Sequence, residues 1–407
     1  MLPTLLTTTD KDNYNAYLNE KIEHVVTLIS STLNTPESSQ GYQDFMAQTP
    51  AVYASLPEHY RMRAEFAVFH HNQSSFDFGM YEPGSKPRKI ILLQDFPGCT
   101  KAINHAMAWL RSYLPRYPIL KTKLFGADFL SNTKGDVVIS LNYHKKLDEE
   151  WLNAAQALLN EHLKDAVPEV ANGQCRYSMV AHAKKQKLVV GDDFVIETIP
   201  TTLPDGSTSQ VKLKQVEGTF SQPNATACSA MLSFALSCVN HVGATPEERR
   251  DLIELYCGSG TFTVALAPFF EKVFATEVAR VPTETAFYNM ELNDIHNIKL
   301  ARLSALEVTQ ALNKERTFKR LELNQINLDD YHFGTLLIDP PRAGLQDEAA
   351  LAFTARFDRV IYISCGPQSL AHDLKYLTRS HKITKVAFFD QFPYTQHLES
   401  GILLERR

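Results

Sequence analysis

The spacing of apolar residues changes near residue 218, which predicts two regions of different architecture. From Asp12 to about Leu33, apolar side chains recur three and four residues apart and predict a helix with one buried face. Segments 104–114 and 148–164 show the same spacing. Short apolar runs predict strands at Arg63–His70, Lys89–Gln94, Leu124–Leu130 and Asp136–Tyr143. Turn residues at 72–75 and 83–85 lie between the first two of these strands. Two further runs, Phe194–Ile199 and Val211–Val216, predict a hairpin.

After residue 218, short apolar strands alternate with helical stretches, the pattern of a parallel sheet built from βαβ units. We therefore predict an α+β region over residues 1–217 and a doubly wound, seven-stranded α/β domain over residues 218–407. Ligands of such domains bind at the carboxyl ends of the strands. The seven predicted strands are Asp251–Tyr256, Lys272–Glu277, Ile298–Leu303, Thr335–Asp339, Arg359–Ser364, Val386–Asp390 and Ile402–Arg406.

The net charge of −5 over 407 residues argues at first against a nucleic-acid partner, but its distribution changes that conclusion. The segment from Lys86 to Lys146 carries a charge of +8, and the rest of the chain carries −13. Aromatic and cationic residues interleave nearby, in Tyr60–Arg63 and in Tyr143–Lys146, a pattern that suits base stacking and phosphate binding. The alternative is a solvated surface that only keeps this region soluble.

The six cysteines are scattered and include no C-x-x-C pair and no Cys/His cluster at metal-binding spacing. We expect reduced thiols and no metal. The first residues lack a basic and apolar leader, and no run of about 18 apolar residues occurs. A monomeric cytoplasmic protein without a membrane partner is therefore expected.

The strand at 251–256 runs into a Gly-x-Gly turn, Gly258-Ser259-Gly260, and then into a predicted helix at 262–270. Thr263 stands where the dinucleotide fingerprint has its third glycine, which argues against a pyrophosphate ligand. An adenosine site without pyrophosphate suits S-adenosylmethionine. Glu277 ends the next strand, where a carboxylate can accept hydrogen bonds from both ribose hydroxyls.

Two further strands end in residues that suggest chemistry. Asp339-Pro340-Pro341 follows a buried strand, and an acid followed by two prolines at this place favours a methyltransferase that modifies bases. Cys365 follows the strand Arg359–Ser364, so it lies at the same edge of the sheet, where a thiol that serves only to pack a core is unexpected.

A nucleophilic cysteine beside a methyl donor fits the methylation of carbon 5 of uracil. That carbon becomes nucleophilic only after a thiolate adds to carbon 6, and a base must later remove the carbon-5 proton. Glu399, just before the last strand, is the candidate base, and His397 is the competing one.

In combination, seven motifs make the chain resemble the TrmA-type tRNA (uracil-5-)-methyltransferase family over essentially its whole length. The motifs are Tyr60–Phe66 (YRMRAEF), Tyr143–Asp148 (YHKKLD), Phe220–Asn224 (FSQPN), Glu254–Gly258 (ELYCG), Asp339–Arg342 (DPPR), Tyr362–Cys365 (YISC) and Asp390–Thr395 (DQFPYT).

The resemblance implies a class I S-adenosylmethionine-dependent methyltransferase domain preceded by an RNA-binding region. Its implied substrate is the T-loop uridine of tRNA, position 54, flipped out of its stack, and often the tRNA-like part of tmRNA. It implies Cys365 as nucleophile, Glu399 as proton acceptor, and these residues for the cofactor: Gln222, Tyr256, Thr261, Glu277 and Asp339. Thr261 and Gly366 each stand where the family typically has Asn.

Three alternatives stay open at this point. Sister enzymes that act on ribosomal RNA resemble the catalytic half but usually carry an N-terminal iron–sulfur cysteine cluster and an OB-like domain, and this sequence shows neither. An exocyclic amino methyltransferase also uses an acid-Pro-Pro motif but needs no thiol. An RNA-folding chaperone could hold tRNA through the Lys86–Lys146 segment without any chemistry.

Overall fold

The structure is a computed structural model that describes residues 9–72, 74–82, 85–239 and 250–407. Parts of the turns predicted at 72–75 and 83–85 lie outside the described residues. Contacts divide the chain into two compact units. The first unit contains Leu56–Glu197, Lys214–Ala225 and the residues before Asn13; the second contains Asn13–Ser55, Thr198–Leu213 and Thr226–Arg407.

The strands follow the chain in the order β1 (Ala51–Tyr53), β2 (Arg63–Asn72), β3 (Ser75–Tyr81), β4 (Ile90–Leu93), β5 (Leu124–Ser131), β6 (Val137–Tyr143), β7 (Tyr177–Ala183), β8 (Gln186–Val190), β9 (Phe194–Thr202), β10 (Thr208–Val216), β11 (Asp251–Leu255), β12 (Val273–Thr276), β13 (Ile298–Ala301), β14 (Phe333–Ile338), β15 (Arg359–Ser364), β16 (His381–Phe389) and β17 (Glu399–Arg406). All the strands predicted from the sequence are present. Three were not predicted in the first unit: β3, β7 and β8.

The α-helices are α1 (Tyr14–Leu33), α2 (Ser39–Met46), α3 (Lys101–Tyr113), α4 (Pro118–Lys121), α5 (Glu149–Ala166), α6 (Pro168–Ala171), α7 (Ala225–Ser237), α8 (Thr261–Leu266), α9 (Arg280–Leu292), α10 (Ala305–Leu312), α11 (Lys319–Leu323), α12 (Glu348–Thr354) and α13 (Pro367–Leu377). Within the described part of the chain, no helix is both long enough and apolar enough to cross a membrane.

The first unit is built on a seven-stranded sheet in the order β4-β3-β2-β5-β6-β7-β8. Neighbouring strands are antiparallel except β6 and β7, which are joined by the α5–α6 crossover and run parallel. The apolar side chains of α3 and α5 pack on this sheet, with Trp109 and Trp151 in the same buried cluster. This mixed α+β unit confirms the predicted architecture of the N-terminal region.

The second unit contains an eight-stranded sheet in the order β1-β16-β17-β15-β14-β11-β12-β13. Strands β13, β12, β11, β14 and β15 are parallel, whereas β17 runs antiparallel to β15 and β16. The doubly wound class is confirmed with its seven predicted strands. The short strand β1 adds an eighth by pairing in parallel with β16.

Helix α1 belongs to this second unit, although it lies near the start of the chain. Its buried face, which includes Leu18, Val25 and Ile29, shares one hydrophobic cluster with Leu370 and Leu374 of α13. The units are therefore not consecutive halves of the chain. The predicted division into 1–217 for RNA binding and 218–407 for methyl transfer concerns function and stays a prediction.

Candidate active site

Three of the predicted cofactor residues lie in one row at the carboxyl edge of the second unit's sheet. Leu255, the last residue of β11, pairs with Thr276 of β12 on one side and with Ile338 of β14 on the other. The next residue along each strand is Tyr256, Glu277 or Asp339. Because the three strands are parallel, these residues leave the sheet side by side.

The turn after β11 exposes its backbone toward the space above this row. Tyr256, Gly258 and Gly260 all have positive φ, at 62°, 55° and 77°. For a tyrosine this conformation costs on the order of 1–3 kcal/mol, and such strain concentrates at functional sites. A Cβ added to Gly258 would have no heavy atom within 4 Å, so the turn is open to a ligand. Thr261 follows as the first residue of α8.

Glu277 fixes the geometry of this turn. One oxygen of its carboxylate accepts a hydrogen bond from the Gly258 N–H at 3.1 Å. The other accepts from the N–H groups of Val278 and Ala279, both at 2.8 Å. A carboxylate has about four lone-pair sites, so with three in use one site remains, on the oxygen that faces Gly258. A half-buried, oriented acceptor of this kind fits a ribose hydroxyl, and the open glycine turn beside it fits the rest of a nucleoside.

A cavity of about 230 Å³ adjoins Tyr256 in the same unit. Its wall is mainly apolar and includes Leu306 of α10, Pro341 of the loop after β14, and Phe353 of α12. The sequence analysis did not identify this cavity, because its lining comes from three separate segments whose side chains are individually ordinary. An apolar slot that adjoins Tyr256, at the same edge of the sheet as Glu277, suits a purine ring.

Cys365 and Glu399 face each other across two antiparallel strands. The last pair of β15 and β17 is Ser364 with Ser400, so the next residues outward in this register are Cys365 and Glu399. Glu399 also pairs with Phe389 of β16. Its side chain is buried, whereas Cys365 is partly exposed. The sheet therefore brings the predicted nucleophile and the predicted base together.

The acidic groups at this edge are poorly solvated, and they repel one another's charge. Burial raises the pKa of Glu399 to about 8, with a further contribution from Asp339. Burial also raises the pKa of Asp339 to about 7. The pKa of the Cys365 thiol rises to about 11, mainly through burial and then through Glu399 and Asp339. In the free protein at neutral pH, the thiol and Glu399 are therefore mostly protonated.

Arg342 opposes this trend. Its positive charge lowers the pKa of both Cys365 and Glu399, and it is the cation that acts on both groups. In the sequence, Arg342 stands out only as part of the Asp339–Arg342 motif. A charged residue in a loop is ordinarily solvated, and only the fold shows that this loop reaches Cys365.

Gly366 explains how that loop approaches so closely. A Cβ at this position would lie 2.5 Å from the carbonyl oxygen of Arg342 and 2.7 Å from Oγ of Ser369. The Ser369 hydroxyl donates to the same Arg342 carbonyl at 2.7 Å. The departure from the family's Asn therefore accompanies tight packing of the Arg342 backbone against the turn after Cys365.

Gln222 belongs to the first unit, in the loop before α7. The neighbouring Pro223 carbonyl accepts from the Met62 N–H at 2.8 Å, and Asn224 is fully buried. This part of the family motif anchors its loop to the segment just before β2. The predicted contact of Gln222 with the cofactor stays a prediction.

The predicted RNA-binding pattern is divided between interior and surface. In the Tyr60–Arg63 segment, Tyr60 is buried, Arg61 donates to the Arg63 carbonyl at 2.7 Å, and Arg63 donates to the Thr219 carbonyl. Tyr60 is only 8% exposed, and the role of this segment in RNA binding stays a prediction. Alternating apolar residues place Tyr60 inside, which motif composition alone does not reveal.

The Tyr143–Lys146 segment, by contrast, lines a cavity of about 760 Å³ in the first unit. The ring of His144 stacks on Phe125 with centroids 3.9 Å apart and planes within 11°. Phe125 is 44% exposed, so the stacked rings lie at the surface. Lys146 and Lys184 are exposed on the same lining. Flat rings beside cations form a surface suited to RNA.

The sheet order, the open glycine turn and the acid after β14 define the class of S-adenosylmethionine-dependent methyltransferases. The fold resembles that of a Pyrococcus abyssi tRNA (uracil-54, C5)-methyltransferase solved with S-adenosyl-L-homocysteine, with a TM-score of 0.64 and 17% identity over 95% of this chain and 83% of that one. A sequence model of the tRNA (uracil-5-)-methyltransferase family matches residues 34–407. The chain belongs to this family.

Individual relatives agree with this assignment. A tRNA/tmRNA (uracil-C(5))-methyltransferase from Shewanella loihica is 42% identical over 91% of this chain and 94% of its own length. Proteins of the same description from Acinetobacter baumannii and Neisseria meningitidis are 39% and 38% identical, each over 97% of this chain and 99% of its own length. The predicted family, enzyme class and methyl donor are confirmed. The roles of individual site residues stay predictions.

Proposed function

We propose that this protein transfers a methyl group from S-adenosylmethionine to carbon 5 of the T-loop uridine of tRNA, position 54, and to the equivalent uridine in the tRNA-like part of tmRNA. The observation that carries the proposal is the register of β15 and β17, which sets Cys365 directly opposite Glu399. A nucleophile and a base at opposed positions of neighbouring strands suit a reaction that needs both groups on one ring.

The first step is nucleophilic. The Cys365 thiolate adds to carbon 6 of uracil: a sulfur–carbon bond forms, and the electron pair of the C5=C6 double bond becomes an enolate with carbanion character at carbon 5. Arg342 favours the thiolate because its charge lowers the thiol pKa. Covalent addition thereby makes carbon 5 reactive, which uracil alone is not.

Tyr256, Thr261, Glu277 and Asp339, with Gln222, are the residues that would hold the donor. The open turn at Gly258 and the Glu277 carboxylate support this assignment. When bound, S-adenosylmethionine supplies the electrophilic methyl group that carbon 5 takes up, and S-adenosylhomocysteine remains.

The last step belongs to Glu399. Its carboxylate removes the proton from carbon 5, the released electron pair restores the C5=C6 double bond, and the sulfur–carbon bond breaks to return the thiolate. With a pKa of about 8, part of the Glu399 population is ionised at neutral pH, and the charge of Arg342, which lowers this pKa, favours the ionised base. His397 is the weaker candidate because its backbone and side chain belong to the preceding loop, whereas Glu399 starts the strand opposite Cys365.

For RNA binding we assign the Phe125–His144 surface of the first unit. Its stacked rings offer a platform for an unstacked base, and Lys146 and Lys184 provide charges for phosphates.

The alternatives lose support for specific reasons. An exocyclic amino methyltransferase has no use for the opposed thiol and carboxylate. A chaperone role is compatible with the first unit's surface but leaves the second unit's edge unexplained. A ribosomal RNA enzyme of the usual type would carry an iron–sulfur cysteine set, and no cluster of three or more metal-ligating side chains occurs among the described residues.

A nucleoside digest tests the proposal. Bulk tRNA lacking the modification is incubated with the protein and labelled donor, and we expect the label in 5-methyluridine at position 54. Cys365→Ala should abolish it, while Cys175→Ala, which removes a buried thiol of the first unit, should not. Label in a methylated exocyclic amine, or undiminished transfer by Cys365→Ala, would sink the proposed chemistry.

A further inference from the structure

Lys21 of α1 is a buried cation that the reaction described above does not use. Its side chain is 1% exposed, and that of its partner Asp390 is 0% exposed. Both residues lie in the second unit. Removing two charges from water is unfavourable, and an ion pair of this kind is often replaceable by apolar side chains without loss of stability. The presence of this buried ion pair therefore suggests a role other than stability.

The ammonium group is fully satisfied by one short loop. Nζ of Lys21 contacts the Asp390 carboxylate and donates to the backbone carbonyls of Phe392 and His397, both at 3.0 Å. An ammonium group has three N–H donors, so these three acceptors account for all of them. The two carbonyls come from the two ends of the loop 390–398, which joins β16 to β17.

Tyr14, one and a half to two turns earlier in α1, completes the cluster. Its hydroxyl donates to the second Asp390 oxygen at 2.8 Å and accepts from the Ser55 N–H at 2.8 Å. The Asp390 N–H in turn donates to the Tyr53 carbonyl at 3.0 Å. The ring of Tyr394, in the middle of the loop, packs edge-on against Tyr14 with centroids 5.9 Å apart. Helix α1 thus holds the start, middle and end of the loop.

The loop delivers Glu399. The His397 carbonyl that Lys21 binds is two residues before Glu399, where β17 begins. The side chain of Glu399 must reach carbon 5 of a ring already bonded to Cys365, so its position along the strand direction matters. A displacement of about 1 Å in a reacting group can cost about a hundredfold in rate.

We propose that Lys21, with Tyr14, is a positioning residue that holds the loop 390–398 so that Glu399 stands opposite Cys365. This inference rests on the proposed function, in which Glu399 removes the carbon-5 proton. Helix α1, which lies far from the methyltransferase motifs in the sequence, thereby takes a specific part in the last step of the reaction. Addition of Cys365 to carbon 6 does not depend on the loop.

The test separates the two steps. The double variant Lys21→Met with Asp390→Asn removes both buried charges and retains an acceptor for Tyr14. The single variant Lys21→Arg keeps the positive charge but replaces the three N–H donors of the ammonium group by a planar guanidinium group. For each variant, the covalent enzyme–RNA adduct on denaturing gels and the steady-state rate of 5-methyluridine formation are measured. The matched control is Arg407→Met with Asp44→Asn, an ion pair of the same unit that does not touch the loop.

We expect adduct formation within about threefold of wild type, a steady-state rate lowered by about 10- to 100-fold, and accumulation of the adduct. The control should keep the wild-type ratio of adduct to turnover. If adduct formation and turnover fall in parallel in either Lys21 variant, the positioning role is overturned. If the double variant does not fold, Lys21→Arg decides alone, and a wild-type ratio of adduct to turnover in that variant overturns the role. Failure of the proposed function is distinguishable, because then the wild type and Glu399→Gln form no adduct either.

Discussion

Glu277 and Glu399 are the same residue type at the same edge of one sheet, yet their surroundings differ. The carboxylate of Glu277 accepts three backbone N–H groups and is held in one orientation. Glu399 is buried beside Asp339, and this raises its pKa to about 8. The first environment makes a fixed acceptor for a ligand, and the second makes a group that can exchange a proton near neutral pH. The surroundings of each glutamate, and not the residue type, decide its chemistry.

Replacing the nucleophile should have the largest effect, because both glutamates serve a reaction that Cys365 starts. We expect Cys365→Ala to lower kcat/KM by at least about 10³-fold, roughly 4 kcal/mol of transition-state stabilisation. Labelled methyl incorporation into tRNA measures this. Binding of S-adenosylhomocysteine should stay at the wild-type level, and a parallel loss of that binding would show that the site had collapsed rather than lost its nucleophile.

Glu277→Gln tests the other side of the comparison. The amide keeps the shape but replaces one acceptor oxygen by a donor that faces backbone N–H groups. Loss of charged hydrogen bonds costs about 1.5–3 kcal/mol, so we expect roughly 10- to 100-fold weaker donor binding by titration calorimetry. No covalent RNA adduct should accumulate. Accumulation of the covalent adduct in this variant would contradict the assignment of Glu277 to donor binding and of Glu399 alone to proton removal.

Gly366→Asn restores the residue that the family typically has, but we expect it to damage this protein. The new Cβ would meet the Arg342 carbonyl at 2.5 Å, and overpacking of this kind costs about 1–3 kcal/mol. The melting temperature and kcat should both fall. Gly173→Asn is the control for added volume, since a Cβ there meets nothing within 4 Å, and its left-handed φ of 69° is one that Asn tolerates better than most other residues. Wild-type stability and activity of Gly366→Asn would show that the Arg342 backbone is free to move away.

The smallest effect concerns stability against pH. Because the pKa of Glu399 is about 8 in the folded protein and about 4.3 in an unfolded chain, the folded state binds more protons between these values. Its contribution to stability is present at low pH and is lost as the pH rises through about 8. Glu399→Gln should therefore gain stability relative to wild type between pH 5 and 9, by at most about 1.4 kcal/mol per pH unit.

Chemical denaturation at a series of pH values measures this difference. Glu23→Gln, at an exposed position of α1, is the control and should show no such trend. A constant difference between Glu399→Gln and wild type across this pH range would mean that the carboxyl group is already ionised in the folded protein at pH 5.

Much of the site could be predicted from the sequence because strand ends in a parallel sheet converge on one edge. Tyr256, Glu277 and Asp339 each follow an apolar run, so their row was foreseeable once the runs were identified as neighbouring strands. Cys365 and Glu399 needed one further fact, the antiparallel return of β17, which sets their register.

Other features could not be predicted, because they depend on which surfaces pack together. The apolar face of α1 shows that the helix is buried but not that Lys21 reaches Asp390, 369 residues away. Burial of Tyr60 and the approach of Arg342 to Cys365 likewise arise from tertiary packing. Strand β3 was missed because its residues Asp77 and Gly79 interrupt a short apolar run.

The covalent adduct of Glu399→Gln tests the central claim most directly. A glutamine at this position cannot accept the carbon-5 proton, while Cys365 and the donor site are unchanged. After incubation with tRNA and S-adenosylmethionine, we predict an enzyme–RNA species that survives denaturing electrophoresis and whose digest contains a Cys365 peptide linked to a methylated uridine, with turnover lowered by about 10²- to 10⁴-fold. Lost turnover with no adduct, or an adduct on any other residue, would contradict the assignment of Cys365 and Glu399 as nucleophile and base.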